Sequence, residues 1–378
     1  MRVLMLTGNT SLQDGVNRHV LMVAGGLVRR GVEVGVCAVK GPGELTDALA
    51  KVGARAFTLG CANGHEWSVA PRFLRVMRSF RPDVAHVHMT AVGMGMVLRF
   101  LYPRTPVVQT EHMLMGAAQK GNFRRNPKLW WRWRLLPRVR RYIFVSQGLM
   151  DACGRGLQPA EVIYNPMSFD LPPRAEPSLR ALLGVPEGTP VIGTACRIVR
   201  EKKPEAFVRV MCSVLRERPD AHAAVMGAGR PELEAAIRAI AAADPAGARV
   251  HFLGYRPDAP RLVGELNCFL MTSWTEGLPT ALLEAMRAHV PVALMEGNCG
   301  LKDIATLNAE EGPLAVVVPQ GDEEALARGV VDTLAHPDAA KARAERAYAA
   351  AKQRYSIDLA AEKLEALYRR VLQEETQR

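Results

Sequence analysis

Two acids stand eight residues apart in the stretch Ser273-Trp274-Thr275-Glu276-Gly277-Leu278-Pro279-Thr280-Ala281-Leu282-Leu283-Glu284. Glu276 falls at the end of a predicted strand. Gly277 lets a ligand come close to the backbone, and the amides that open the next helix are free donors. Glu284 lies in so apolar a helical turn that it needs a partner if buried. Sugar or ribose hydroxyls would serve, since a carboxylate accepts hydrogen bonds from a vicinal diol; on spacing alone, facing water beside Arg287 serves as well. A second loop, Cys196-Arg197-Ile198-Val199-Arg200-Glu201-Lys202-Lys203-Pro204, also follows a predicted strand. Arg grips a phosphate through two donors and Lys adds a point charge; read alone, the loop is also an ordinary solvated basic turn. In the first half, Gly8–His19 joins the first strand to the first helix, and Gly15 with the amides after it could cradle a diphosphate. The Gly-x-Gly-x-x-Gly fingerprint is missing, which argues against nicotinamide chemistry. Thr110-Glu111-His112 ends another strand, where His112 could hydrogen-bond a substrate or move a proton, or be simply structural. His86 and His88 alternate across a strand, so one ion does not hold both unless the strand has ended, and no metal is expected.

These loops recur because strand-like and helix-like segments alternate. Val3–Thr7, Val32–Ala38, Val84–His88, Val107–Thr110 and Tyr142–Val145 read as strands, with a helix at His19–Arg30. Six prolines between Asn165 and Pro190 then break the rhythm. It restarts with strands at Val191–Ala195, Ala221–Met226, Val250–Leu253, Cys268–Thr272, Val292–Met295 and Val316–Val318. Helices are predicted at Pro204–Arg218, Pro231–Ala243, Thr280–Ala288 and Asp322–Leu334. Regular β-then-α alternation means parallel, doubly wound sheets. Two such α/β domains face a central cleft, and ligands bind beyond the carboxyl ends of the strands. The expected divisions are an N-terminal domain at 1–166, a linker at 167–190, a C-terminal domain at 191–354 and a last helix at 355–378 that crosses back to the first domain.

Composition sets the outer limits. The 378 residues are 48% hydrophobic and 23% charged, as in a globular chain of about two domains. The apolar run Met89–Leu98 is too short to span a membrane, and the N-terminus does not read as a signal peptide. Seven cysteines with no close pair exclude a zinc ribbon or a Cys-x-x-Cys redox motif and suit a reduced, cytoplasmic chain. The net charge of +11 is uneven. The first 190 residues carry 25 Lys/Arg against 12 Asp/Glu, so an anionic partner is expected for that half.

Much of that charge lies in Lys120–Arg141, with Lys120, Arg124, Arg125, Lys128, Arg132, Arg134, Arg138, Arg140 and Arg141 around Trp130, Trp131 and Trp133. Asn126-Pro127 starts a helix and Pro137 ends it. A basic helix bearing Trp suits an anionic membrane surface. A solvated helix with its tryptophans inward, or a nucleic-acid contact, are the other readings; the membrane is preferred, and no nucleic acid is expected as a partner.

Taken together the motifs resemble the retaining glycosyltransferases of family 4, which have the GT-B fold. Glu276 and Glu284 match its Glu-x7-Glu signature. Pro82-Asp83-Val84-Ala85-His86-Val87-His88 resembles its Pro-Asp-Val-Val-His-x-His strand, and Thr110-Glu111-His112 its Thr-x-His. Arg197 to Lys202 is similar to its Arg-Leu-x-x-x-Lys, Gly254-Tyr255-Arg256-Pro257-Asp258 to its Gly-x-x-x-Asp, and Val162–Pro166 to its interdomain segment. The resemblance implies a nucleotide-sugar donor, UDP- or GDP-linked, and no further cofactor. Glu284 would hold the ribose diol, with Arg256 also on the donor. Glu276, with the amides of Gly277 and Leu278, would contact sugar and diphosphate. Arg197 and Lys202 would neutralise the departing diphosphate, Gly15 would approach it, and His112 would touch the donor sugar. Two departures stand out: Asp14-Gly15 replaces Gly-Gly, and Gly300-Leu301-Lys302-Asp303 replaces Gly-x-x-Glu. The resemblance also implies a lipid-linked saccharide acceptor, or else a soluble small molecule, and a peripheral location on the inner face of the plasma membrane. A GT-B sugar-nucleotide epimerase is the alternative enzyme.

Overall fold

The computed structural model describes residues 1–89, 91–113, 138–153, 157–171, 176–309 and 312–377. The chain forms two compact units, Met1–Ser168 with Tyr355–Arg378, and Phe169–Arg354.

The first unit holds seven parallel strands: β1 (Arg2–Thr7), β2 (Glu33–Ala38), β3 (Arg55–Thr58), β4 (Val84–Val87), β5 (Val107–Glu111), β6 (Val139–Phe144) and β7 (Ala160–Val162). Their order in the sheet is β3-β2-β1-β4-β5-β6-β7. Side chains alternate along β1, so its apolar run feeds two cores. Val3 and Met5 pack with Val20, Leu27 and, from the C-terminal helix Ile357–Thr376, Leu364 and Leu367. Leu4 and Leu6 pack on the other face with Phe73, Met77 and Phe80. The C-terminal helix lies close to the first helix, Gly15–Arg29, because Gly26 has no side chain there. A Cβ on Gly26 would sit 2.8 Å from Ile357 Cγ2 and 2.9 Å from Ala361 Cβ.

The second unit repeats the plan with β8 (Val191–Ala195), β9 (His222–Met226), β10 (Val250–Gly254), β11 (Cys268–Met271), β12 (Thr275–Glu276), β13 (Val292–Met295) and β14 (Asn298–Cys299). The main sheet is parallel in the order β10-β9-β8-β11-β13, completed by Val316–Val318. The two-residue β12 pairs with β14 alongside it. Both sheets reverse their winding beside their first strand. The crevice where such sheets take ligands therefore lies at the ends of β1 and β4 in one unit, and of β8 and β11 in the other.

Most predicted strands and helices stand within a residue or two of their expected limits. Three differences have plain causes. The first helix begins at Gly15, not His19, because Asp14 caps it: its carboxylate accepts from the Val16 amide at 2.9 Å. The short edge strands β3 and β7 have too few residues for a period to show. Part of the Pro-rich stretch 167–190 is ordered within the second unit. Ser178 caps a helix at Leu179–Leu183, which Gly184 ends at φ 67°, and Arg180 donates to Glu265 O at 2.9 Å and Asn267 Oδ1 at 2.9 Å.

Candidate functional site

In the second unit, the loops after β8 and β11 are tied together by backbone. Trp274 N donates to Glu201 O at 2.8 Å, and Thr272 Oγ1 donates to Lys202 O and Lys203 O at 3.1 and 3.2 Å. Lys203 takes φ 51°, which turns the chain from a short 3-10 turn, Arg200–Lys202, into the helix Pro204–Glu217. The loop after β13 joins them, with Asn298 N donating to Trp274 O at 2.8 Å. This stitching brings Lys202 onto Glu276 in an ion pair whose side chains are only 15% and 11% exposed. Arg197 is exposed and makes no ion pair among the described residues. Cys196 lies within the electrostatic reach of all three. Burial pushes its thiol up to about 11, against the pull of Lys202. The geometry thus joins Lys202 and Glu276 at the switch point, with Arg197 exposed in the same loop after β8.

The loop 196–198 is seated by glycines the sequence reading passed over. Ile198 N donates to Ala228 O at 2.9 Å, and Cys196 N to Met226 O at 3.0 Å. A Cβ on Gly227 would stand 1.8 Å from Cys196 O, and one on Gly229 would stand 1.9 Å from Ile198 O. Gly-x-Gly directly after β9 was the available signal. Gly277 and Leu278 are held likewise by Gly300, whose Cβ would be 2.4 Å from Gly277 O.

Glu284 is half-buried on the helix Thr280–Arg287, one turn from the buried Arg287, whose charge it supports. Glu284 thus neighbours Arg287 and still offers surface. Arg256 is engaged by Asp258 through two hydrogen bonds, at 2.8 and 2.6 Å, which hold the Asp258 carboxyl below its usual range. The structure places the Arg256 guanidinium in that fork.

In the first unit, Asp14 is a helix cap, which accounts for the departure from Gly-Gly. Its second oxygen accepts from Asn9 Nδ2 at 3.0 Å, and buried Asn17 ties the loop through Asn9, Ser11 and Thr7. A Cβ on Gly15 would meet nothing within 4 Å, so open space adjoins the backbone there.

Four imidazoles gather beside this loop. His86 is buried with both ring nitrogens bonded, Nδ1 to Tyr368 Oη at 2.6 Å and Nε2 to Thr110 Oγ1 at 2.7 Å. Burial lowers its pKa to about 3, so it is neutral. β4 has ended at Val87, which frees His88 to turn. Its Nδ1 lies 3.0 Å from His112 Nε2, and its ring lies tilted against that of His86 with centroids 4.2 Å apart. His19, from the first helix, completes the group; the sequence reading gave it no role. Tyr368 thus reaches from the C-terminal helix to β4, whose His86 is bonded in turn to Thr110 on β5, two residues before His112. Tyr368→Phe should leave His86 Nδ1 unbonded and lower stability by about 1–3 kcal/mol. Urea unfolding checks this; an unchanged midpoint would mean the bond carries no weight.

Of the basic segment, residues 114–137 lie outside the described residues, including the helix expected from Asn126 to Pro137. Arg140 and Arg141 belong to β6 and pair with Glu375 and Glu374 of the C-terminal helix, so these two guanidiniums are not offered to a membrane. Among the described residues no helix is long and apolar enough to cross a membrane.

Residues 13–171 match the family model described as Glycosyltransferase Family 4, and residues 189–336 match the model described as Glycosyl transferases group 1. The chain belongs, by both of its units, to the GT-B glycosyltransferases. Among similar proteins, 2-deoxystreptamine N-acetyl-D-glucosaminyltransferase of Streptomyces fradiae is 29% identical over 290 residues, 68% of this chain and 64% of that one. The match thus spans less than two thirds of that relative. A GDP-mannose-dependent mannosyltransferase of Corynebacterium glutamicum that acts on a monoacylated phosphatidylinositol monomannoside is 32% identical over 130 residues, 32% of this chain and 33% of that protein. The structure of Anabaena HepE in complex with UDP-glucose aligns with a TM-score of 0.75 over 97% of this chain and 99% of that one, at 21% identity. It shows the shared GT-B fold. In this glycosyltransferase the Lys202–Glu276 pair therefore stands at the switch point of the second Rossmann-like unit.

Proposed function

We propose that the protein transfers a hexosyl or related group from a nucleotide-sugar to an acceptor hydroxyl with retention of configuration. The observation that carries this is the Lys202–Glu276 pair, with Arg197 exposed in the same loop. Two cations at one strand-end crevice suit a group that leaves as a diphosphate, and preorganised charge of this kind is a large part of such catalysis. In the step proposed, the C1–oxygen bond to the diphosphate breaks as the acceptor oxygen bonds to C1 on the same face. The acceptor's proton passes to the departing phosphate oxygen. Arg197 and Lys202 take up the charge left there, and Glu276 holds the Lys202 ammonium in place. No carboxylate need attack the sugar, so the paired-carboxylate logic of retaining glycosidases is not required. Glu284 is proposed for the ribose diol. Gly277 and Leu278 keep their proposed place at the diphosphate, Gly15 keeps its own there, and His112 is proposed at the donor sugar. Arg256, already forked to Asp258, is the weaker candidate.

The proposed acceptor is a lipid-linked saccharide of cell-surface polysaccharide or lipopolysaccharide assembly, met at the inner face of the plasma membrane. The basic first half and the Corynebacterium relative support this. A soluble aminocyclitol-like acceptor is the second reading, favoured by the Streptomyces relative. A thermal-shift panel of UDP- and GDP-sugars tests the donor. One of them should raise the unfolding temperature, and Arg197→Ala should weaken its effect while leaving the unliganded protein as stable as before. Indifference to every nucleotide-sugar would overturn the proposal.

A further inference from the structure

The trio His19, His88 and His112 has unexplained features. His19 and His88 are 4% and 8% exposed, yet both ring nitrogens of His19 and Nε2 of His88 make no hydrogen bond. Buried polar atoms are nearly always bonded, and each exception asks for a cause. Asn165 Oδ1, beside His19, is also buried and unbonded. Burial holds His19 and His88 neutral, with His112 adding to the effect on each, so each ring keeps a lone pair.

We propose that His19, His88 and His112 form a binding site for a borderline divalent cation of the zinc class. The geometry fits such an ion closely. Zinc–nitrogen bonds are about 2.0–2.1 Å, so three imidazoles on one tetrahedral ion place their donor atoms about 3.4 Å apart and their ring centroids about 5 Å apart. Here His88 Nδ1 and His112 Nε2 are 3.0 Å apart in a hydrogen bond whose proton an ion would displace, and one donor atom from each of the three rings lies within 4.8 Å of the others. The three centroid separations are 5.2 Å (His19–His88), 5.3 Å (His88–His112) and 4.8 Å (His19–His112). Ligand histidines usually give their other N–H to a carbonyl or carboxylate oxygen. Asn165 Oδ1, buried beside His19, is the oxygen placed to receive it. His86 stays outside the site, since Tyr368 and Thr110 occupy both its nitrogens. Three neutral ligands leave the ion's full charge and a fourth position open.

The test uses the untagged full chain, dialysed against EDTA and titrated with cobalt(II) and then zinc chloride. One cobalt per chain should bind with the visible d–d bands of a four-coordinate, nitrogen-ligated ion, and zinc should displace it. His19→Ala and His88→Ala should each weaken zinc binding at least about 100-fold. His251→Ala, at the separate His222–His251 contact of 2.9 Å, should leave it unchanged. If the variants at the buried positions do not fold, His112→Ala, on a half-buried ring, gives the same readout. Absent d–d bands with no zinc heat at millimolar metal would overturn the site, as would undiminished binding in the His19 and His88 variants. One consequence rests on the proposed function: metal on His112 denies that ring to the donor sugar, so zinc should suppress transfer in the parent protein and not in His19→Ala. The spectroscopic readout needs no substrate, so it stands or fails separately from sugar transfer.

Discussion

Lys202→Ala should cut turnover by about 100- to 1000-fold, the effect of deleting one preorganised group that meets developing charge. Glu276→Gln should cost a comparable factor, because the ammonium it holds would lose its position. Lys202 and Glu276 are in contact, so their effects should not multiply. The double variant should be scarcely slower than the worse single one. A purely structural ion pair makes the opposite forecast. The discriminating protein is Lys202→Glu/Glu276→Lys, which keeps an ion pair and reverses its sense. If the pair serves only the fold, exchange restores both stability and turnover. If Lys202 faces a departing diphosphate, exchange restores the unfolding temperature and leaves turnover at the level of the single variants, since an acid then stands toward the anion. Single-turnover kinetics with the donor from the thermal-shift panel, beside thermal unfolding, separates the two. Recovered turnover in the exchanged protein would remove the catalytic role.

That contact was only half legible in the sequence. Glu276 and Lys202 could each be placed near a strand end, because β8 and β11 are short, mostly apolar runs with polar loops close behind them. Their pairing could not, because it depends on β8 and β11 being neighbours in a sheet whose order is 10-9-8-11-13. Sequence order hides that adjacency; β9 and β10 intervene along the chain and lie on the far side of β8. The same limit hid the histidine trio. His86 and His88 drew attention as a pair, whereas His88 meets His19 and His112, which come from the far sides of two other connections. Asp14 was hidden differently: it stood out as a departure from Gly-Gly, but with the helix expected only from His19 nothing in the spacing marked it as a cap. Glu284 remained open in the sequence because residues three apart on a helix can always meet. The structure adds Arg287 as a neighbour without removing the hydroxyl reading.

Gly227→Ala should unfold the second unit more readily and silence the enzyme together. A Gly-x-Gly loop after a strand invites a ligand explanation, with the backbone bare so that phosphate can approach. The distances favour a different cause. The missing Cβ would stand 1.8 Å from Cys196 O and 2.9 Å from Cys196 C, atoms of the backbone that cannot rotate away. Parallel pairing of β8 with β9, continued by the Cys196–Met226 hydrogen bond, presses these two chains together where the strands end. An added methyl group must therefore separate them, and the segment that moves carries Arg197. Overpacking of a rigid site costs about 1–3 kcal/mol and sometimes more, and a backbone clash belongs at the upper end. Gly229→Ala should behave alike, since its Cβ would stand 1.9 Å from Ile198 O. Gly188→Ala makes the contrast: at φ 87° with nothing within 4 Å, it strains the backbone without displacing the site, so stability should fall while turnover per folded molecule persists. Thermal unfolding and donor turnover, measured on the same preparations, decide the matter. Were Gly227→Ala to keep its unfolding temperature and lose only turnover, the glycine would be there for the ligand, and the account of how Arg197 is held would have to be replaced.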